Sequence, residues 1–387
     1  MQNGYFEFLA FFVDLSDPRM DRGQNHRLLD MVGLTLCGTI AGANSWADIE
    51  RFAVAHQEWF EQFLELPYGI PSHDTFGRVF ARLDTEEFQR CLGRWVEHLQ
   101  LQLAGETVAI DGKTLRGSHD RSAGQDALHV VNAWANHVNF CLGQVSVDSK
   151  ANEIPAVREL LDILNLEGAV VTADAMHCQK ATAKKIIGKG ADFVLQVKEN
   201  QRKLMLAIAE EFDRYGETSY TDRRVRQYTK TETNRNRTET RTCMVAPAPA
   251  ALKRIWPGLR TIGVIHRTRE LADGTESAEL SYFISSLPPK VREHARHLRN
   301  HWHVENTLHH TLDVTASFHG DARHPCAEDA SRIRKGSGSE ITSVFRRLAL
   351  SILKSDTTIK DNIRGKRLTA GWNLNKMKDI LLAFQAA

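Results

Sequence analysis

TVAID (107–111), HVVNAWANH (129–137), FCLGQVSVD (140–148), SKANEIPAVRELLDIL (149–164), AVVTADA (169–175) and ADFVLQV (191–197) decide the fold of this 387-residue chain. The first three runs are β-rich and separated by short links, so they predict a three-stranded meander. In the fourth, Val157, Leu160, Leu161 and Leu164 fall on one face at helical spacing. AVVTADA and ADFVLQV are short apolar strands. Between them, the segment carrying Lys180, Lys184 and Lys185 predicts a helix.

Three strands, helix, strand, helix, strand is the order of a ribonuclease-H-like α/β core with a mixed sheet, and the pattern alone also admits other mixed folds. Residues 199 to about 285 interrupt that order with polar, Thr- and Arg-rich sequence such as YTKTETNRNRTETRTCMV (228–245), TIGVIHRTREL (261–271) and LSYFISSL (280–287). These predict antiparallel strands inserted into the core. A long helix is expected over 289–314, and another over 341–354 with Ile341, Phe345, Leu348 and Ile352 on one stripe and Arg346, Arg347 and Lys354 elsewhere. Residues 1–100 predict a helical N-terminal domain, and 101–387 the catalytic domain with its insertion. Within the first, HRLLDMVGLTLCGTIAGA (26–43) is apolar nearly all round and predicts a buried helix. Ser45 with Asp48, and Ser72, have the position of helix N-caps. Helix, Gly/Pro-rich turn, helix fits a DNA-binding unit or a packed helical hairpin.

Composition sets bounds and little more. Fifty Lys and Arg against 48 Asp and Glu leave a net charge of +2, so any nucleic-acid contact must come from local patches. Six scattered cysteines without a C-x-x-C pair fit reduced thiols in a cytoplasmic protein. FLAFFV (8–13) lacks the basic lead and small-residue site of a signal peptide, and no apolar run is long enough to span a membrane.

Asp111 and Asp174 each close an apolar strand. Carboxylates there suit a metal centre, because the sheet fixes their position while the strand end reaches solvent. Magnesium takes such hard oxygen ligands together with substrate phosphate, and a pair of ions serves phosphoryl chemistry. Glu305 in HWHVENTLHHTLDV (301–314) is the candidate third acid, sharing a helix face with His301 and His309 at i, i+4 and i+8.

AIDGKTLRG (109–117), VVTADAMHCQK (170–180), DFVLQVKENQ (192–201), YFISSL (282–287) and HWHVENTLHHTLDV (301–314) closely resemble the insertion-sequence transposases of the H-repeat-associated (ISAs) type, as do DPRMDRGQNHRLLD (17–30), GIPSHDTFGRVFARLD (69–84) and NEIPA (152–156). The resemblance runs over nearly the whole chain. It implies a DDE transposase that cleaves and joins DNA, with Asp111, Asp174 and Glu305 holding Mg²⁺ or Mn²⁺, expected as two ions. It further implies double-stranded DNA as partner, both element ends and target, and a homodimer assembled on that DNA. A metal-dependent nuclease without strand transfer and an inactive DNA-binding relic are the alternatives. Related transposases flank the Glu with Tyr, Arg and Lys. Here those positions are Leu298, His301 and Leu312, and Arg299 is the expected substitute. The segment between Thr315 and EDASRIRKG (328–336) is longer than the resemblance implies.

Further DNA contacts are expected from Lys113 and Arg116, beside Asp111, and from Arg332, Arg334 and Lys335 in the loop SRIRKGSGSE (331–340). That loop lies within a stretch, 323–367, with eleven basic residues against five acidic ones, an excess that can neutralise phosphates. Eight histidines lie between 294 and 324, but without a companion cysteine pair they do not predict structural zinc.

Overall fold

The computed structural model describes residues 4–385 except 100, 120–123, 125, 148–151, 218–219, 221, 235–236, 316–327 and 330. Along the chain come helices α1 (Leu28–Ala41), α2 (Trp46–Ala55), α3 (Gln57–Phe60), α4 (His73–Phe80) and α5 (Thr85–His98). Strands β1 (Thr107–Thr114), β2 (His129–Ala135) and β3 (Phe140–Val147) follow, then α6 (Glu153–Ile163), β4 (Val170–Ala173), α7 (Lys180–Gly188) and β5 (Asp192–Val197). Next are α8 (Arg202–Glu217), β6 (Arg226–Asn234), β7 (Arg237–Pro247), α9 (Ala250–Ile255), β8 (Thr261–Leu271) and β9 (Glu276–Ser285). The chain ends in α10 (Val291–Val304), two π-helical turns (Glu305–His309 and Thr311–Thr315), α11 (Gly338–Ser355), α12 (Ile363–Trp372) and α13 (Leu374–Gln385).

The strands form one mixed sheet of nine, ordered β3-β2-β1-β4-β5-β9-β8-β7-β6. Its β3-β2-β1-β4-β5 portion is the ribonuclease-H-like order. β1, β4 and β5 run parallel, and β4 and β5 are nearly all buried, as strands covered on both faces must be. The inserted strands continue the same sheet, because β9 pairs antiparallel with β5, from Val194↔Ser285 to Val197↔Tyr282.

The chain divides into two compact units: Met1–Leu101, Gly112–Ala156 and Val304–Ala387 make the first, and Gln102–Asp111 with Val157–His303 the second. In the first unit, α1 is buried along nearly its whole length, and Gly42, at φ 104°, ends it in the left-handed conformation that glycine takes without a steric penalty. Ser45 and Asp48 form the expected capping box of α2, and Ser72 caps α4. His56, at φ −127°, separates α2 from α3. FLAFF (8–12) ends a 3-10 helix, Gly4–Phe12, and Phe8 and Phe12 are core residues in contact with Trp95 and Phe88. Helix α11 packs on α1 and β3 and is buried from Ile341 to Leu353.

That burial corrects the reading of the C-terminal charges. Arg346, Arg347, Lys366 and Arg367 are all buried in the first unit rather than displayed on a basic face. Arg347 donates to Glu328 at 2.6 Å, and Lys113 pairs with Glu328 at 3.1 Å and also with Asp313. Arg346 donates to Ser331, Arg367 to the Thr39 carbonyl at the end of α1, and Lys366 pairs with Asp356. Burial would raise the Glu328 carboxyl, but Arg347, Lys113 and Arg346 outweigh it and hold its pKa at about 2. Arg323, His319, His324 and Cys326 lie outside the described residues, as does most of the long segment after Thr315. The five described cysteines are buried free thiols, and no helix among the described residues is long and apolar enough to cross a membrane.

The Glu328 cluster generates a stability prediction. Glu328→Ala leaves two buried cations without their shared anion and is expected to cost about 3–5 kcal/mol in urea unfolding. Because the folded pKa is depressed, the contribution of Glu328 is fully present above about pH 4.5 and is lost as pH falls toward 2. Wild-type stability should therefore decline through that window more steeply than that of Glu328→Ala. Parallel declines would show that the carboxylate is not ionised in the folded state.

Candidate active site

Parallel register sets the site. Ile110 of β1 stands opposite Ala173 of β4, so Asp111 and Asp174 each lie one step beyond a directly paired position. Opposed residues of neighbouring strands point to the same side, which gives both carboxylates the same sheet face. Asp111 is partly buried, and the Asp174 side chain is half exposed. Asp174 leaves its strand in extended backbone and opens a 3-10 turn, Ala175–His177.

Helix α10 crosses this face, meeting it through a column of polar contacts. Thr107, four residues before Asp111, accepts from Asn300 at 3.1 Å and lies 2.8 Å from His297 Nδ1. Burial, with Arg296 and His294, lowers His297 to a pKa of about 3, so its ring is neutral; Arg296 donates to Nε2 at 3.3 Å, which leaves the proton on Nδ1 to be donated to Thr107 Oγ1. One turn later, His301 Nδ1 is 3.1 Å from Thr172 Oγ1 and its Nε2 is 3.3 Å from Asp174 Oδ1. An ionised carboxylate only accepts, so Nε2 carries the proton directed at Asp174. The hydrogen bond from His301 holds the Asp174 carboxyl below its ordinary range against burial, with the charges of His301, Lys198 and His177 acting in the same direction. Asp174 is thus kept anionic, as a metal ligand must be. Asp174 follows the end of β4 as expected, but β1 runs on to Thr114, so Asp111 lies within its strand rather than at the end. Two carboxylate donors on neighbouring strands are the set that Mg²⁺ or Mn²⁺ takes together with phosphate oxygens. Among the described residues, no three His, Cys, Asp or Glu side chains form a ready-made cage.

Glu305 belongs to the first unit, where it is exposed and opens the π-helical continuation of α10, one turn after His301 in the chain. Also in that unit, Gly112 explains the glycine after Asp111: a Cβ there would stand 2.5 Å from His129 Nε2 and 2.8 Å from the Glu153 carboxylate, and these two side chains are themselves paired at 2.9 Å.

The predicted cations have separate fates. Lys113 is engaged with Asp313 and Glu328. Arg116 is exposed, with its backbone N–H on Asp329 at 3.2 Å. Arg334 donates to the Gly117 carbonyl at 2.9 Å, while its neighbours Arg332 and Lys335 are exposed. Arg299, in the second unit, faces Glu232 of the inserted β6 at 3.5 Å. His294, His297 and His301 are buried packing residues of α10. The contact between His301 and Asp174 was not read from the sequence, although its i, i+4 relation to Glu305 was the available signal.

Removing the His301 hydrogen bond should raise the Asp174 pKa. Following the Asp174 carboxyl carbon by NMR, His301→Ala is expected to titrate at higher pH than wild type. An unchanged midpoint would mean that the bond does not form in solution.

Two family descriptions match the chain: "Transposase DDE domain" over residues 103–333 and "DDE_Tnp_1-associated" over residues 9–96. The chain is 35% identical to "Putative transposase YncI" of Escherichia coli O157:H7, over 96% of this chain and 94% of that protein. It is 34% identical to "H repeat-associated putative transposase YhhI" of Escherichia coli K12, over 95% of each chain. A shorter match, 42% identical over 57 residues, is to "Inactive transposase YbfQ" of the same strain. With a DDE domain over its sheet and relatives matched nearly end to end, this chain belongs to the DDE transposase family.

Proposed function

We propose that the chain is an active DNA transposase that hydrolyses phosphodiesters at the ends of an insertion element and joins the freed 3′-hydroxyl to target DNA. The observation that carries this reading is the register of β1 and β4, which sets two aspartates side by side in a DDE domain. Glu305 completes the triad in this reading. It lies within the matched domain, and the helix face of His297 and His301 reaches it at the next i+4 step. Asp111, Asp174 and Glu305 would hold the Mg²⁺ or Mn²⁺ pair. When bound, those ions supply an activated nucleophile and charge stabilisation for in-line displacement. The protein's own part is positioning: neighbouring parallel strands fix the two aspartates, and His301 keeps Asp174 ionised.

Double-stranded DNA is the proposed partner, with the chain acting in the cytoplasm. Arg116, Arg332 and Lys335 are the exposed candidates for backbone contacts, with Arg334 and Arg299 beside carbonyl or carboxylate partners that phosphate could displace. Lys113, paired with two carboxylates, is the least available of the predicted contacts. Two element ends processed by one metal site each require two chains, and a two-fold pair is the commonest closed assembly. We therefore propose a homodimer on DNA.

Asp111→Asn, Asp174→Asn and Glu305→Gln should each abolish Mg²⁺-dependent nicking and joining of duplexes taken from the DNA flanking the gene, with duplex binding retained. Cleavage by any one variant at near the wild-type rate removes that residue from the triad. Nicks without joined product would reduce the activity to that of a nuclease. Complexes of mixed wild-type and Glu305→Gln chains should process one end only.

Replacing Arg332, Arg334 and Lys335 together by Ala should flatten the salt dependence of DNA binding, each lost phosphate contact lowering the log–log slope by about 0.9. An unchanged slope would assign these side chains to solvent.

A further inference from the structure

Strand β5 runs out into the turn KENQ (198–201), which opens with Lys198. β5 lies beside β4 in parallel, with Thr172 opposite Val194 and Ala173 opposite Leu195. Val194 is buried in a cluster with Val170 and with Leu298 of α10, which puts it on the helix-covered face. Strand alternation carries that face on to Gln196 and then Lys198. Asp111, one step past the last β1–β4 pair, and Asp174 and Lys198, just past β4 and β5, thus fall on one face of three consecutive parallel strands, two anions and a cation in order.

We infer that Lys198 is a further catalytic residue, whose ammonium binds the non-bridging oxygens of the DNA phosphodiester held beside Asp174. Lys198 is exposed, one residue beyond the buried end of β5. Among the described residues its ammonium forms no hydrogen bond and no ion pair, although its charge reaches the Asp174 carboxyl. The backbone behind it is held. The Gln201 N–H donates to the Lys198 carbonyl at 2.9 Å, Asn200 donates to the Ala175 carbonyl at 2.6 Å, and Gln201 donates to the Cys178 carbonyl at 3.0 Å. The turn after β5 is therefore tied to the turn after Asp174, so the lysine is carried on the same backbone frame as the carboxylate. A flexible four-carbon stem on that frame delivers a point charge to an anion bound at the strand ends. Lys113, two residues past Asp111, is committed to carboxylates, whereas Lys198 is exposed and, among the described residues, unpaired.

The assignment rests on the transposase reading, and its test separates the two. Binding to a mixed-sequence duplex without divalent metal, thermal stability, and Mg²⁺-dependent cleavage of duplex from the DNA flanking the gene are measured for wild type, Lys198→Ala and Lys198→Arg. Lys198→Ala should lower the log–log salt slope by about 0.9 with an unchanged Tm. It should lower cleavage about 10²- to 10³-fold, and Lys198→Arg should recover most of both. A slope equal to wild type, or cleavage within about threefold of it, overturns the assignment. If wild type binds and Lys198→Ala flattens the slope, but wild type does not cleave, the phosphate contact stands and the catalytic reading falls. If wild type does not bind duplex at all, both fall.

Discussion

Parallel register between β1 and β4 is the constraint on which the rest of the site depends. A shift of one residue in either strand would turn its aspartate to the opposite face of the sheet, since side chains alternate with a period of two. The shift would also move Thr172 away from His301 and Thr107 away from His297, so α10 would lose its polar contacts together with the carboxylate it supports. The apolar runs that make these strands cohesive and the acids that end them are thus parts of one arrangement. Val108, Ala109 and Ile110 on one strand, and Val170, Val171 and Ala173 on the other, are nearly inaccessible to water. The aspartates begin where that burial ends.

A second arrangement governs the first unit, and it is electrostatic. Glu328 gathers Lys113 from β1 and Arg347 from α11 around one buried carboxylate, so elements far apart in sequence meet at a charge rather than at an apolar contact. Buried ion pairs of this kind add little net stability relative to a hydrophobic replacement, but removing one member is costly. The cluster therefore specifies which side chains belong there more than it deepens the folding minimum. It also explains why a cation two residues past a catalytic-type aspartate need not meet substrate.

Local signals were the legible ones. Alternation and apolar runs located β1 to β5, helical spacing located α6 and α11, and Ser45, Asp48 and Ser72 marked true caps, because each depends on residues within a few positions of one another. Asp174 was legible for the same reason, as the residue that follows a strand, whereas Asp111 was expected to end β1 and instead lies within it, because the polar run Gly112–Thr114 continues the strand. The interior positions of Arg346, Arg347, Lys366 and Arg367 were not, because charge at these positions reads as surface until a partner such as Glu328, or a carbonyl such as that of Thr39, is brought from elsewhere in the chain. His301 and Lys198 needed the three-dimensional register: only when Thr172 is set opposite Val194 does the parity of β5 show which of its residues share the face of Asp174.

The pairing of β5 with β9 bears on how such a chain is built during synthesis. β5 is the last of the core's parallel strands to emerge, and its other edge has no partner until residues 276–285 have been made. Until then a buried-type strand presents open backbone groups, the circumstance in which unpaired edges meet other chains. The inserted strands are thus the supplier of the core's last neighbour as well as the route to α10. A nascent chain stopped short of β9 would hold both aspartates on an unfinished sheet, without the helix whose histidine keeps Asp174 charged.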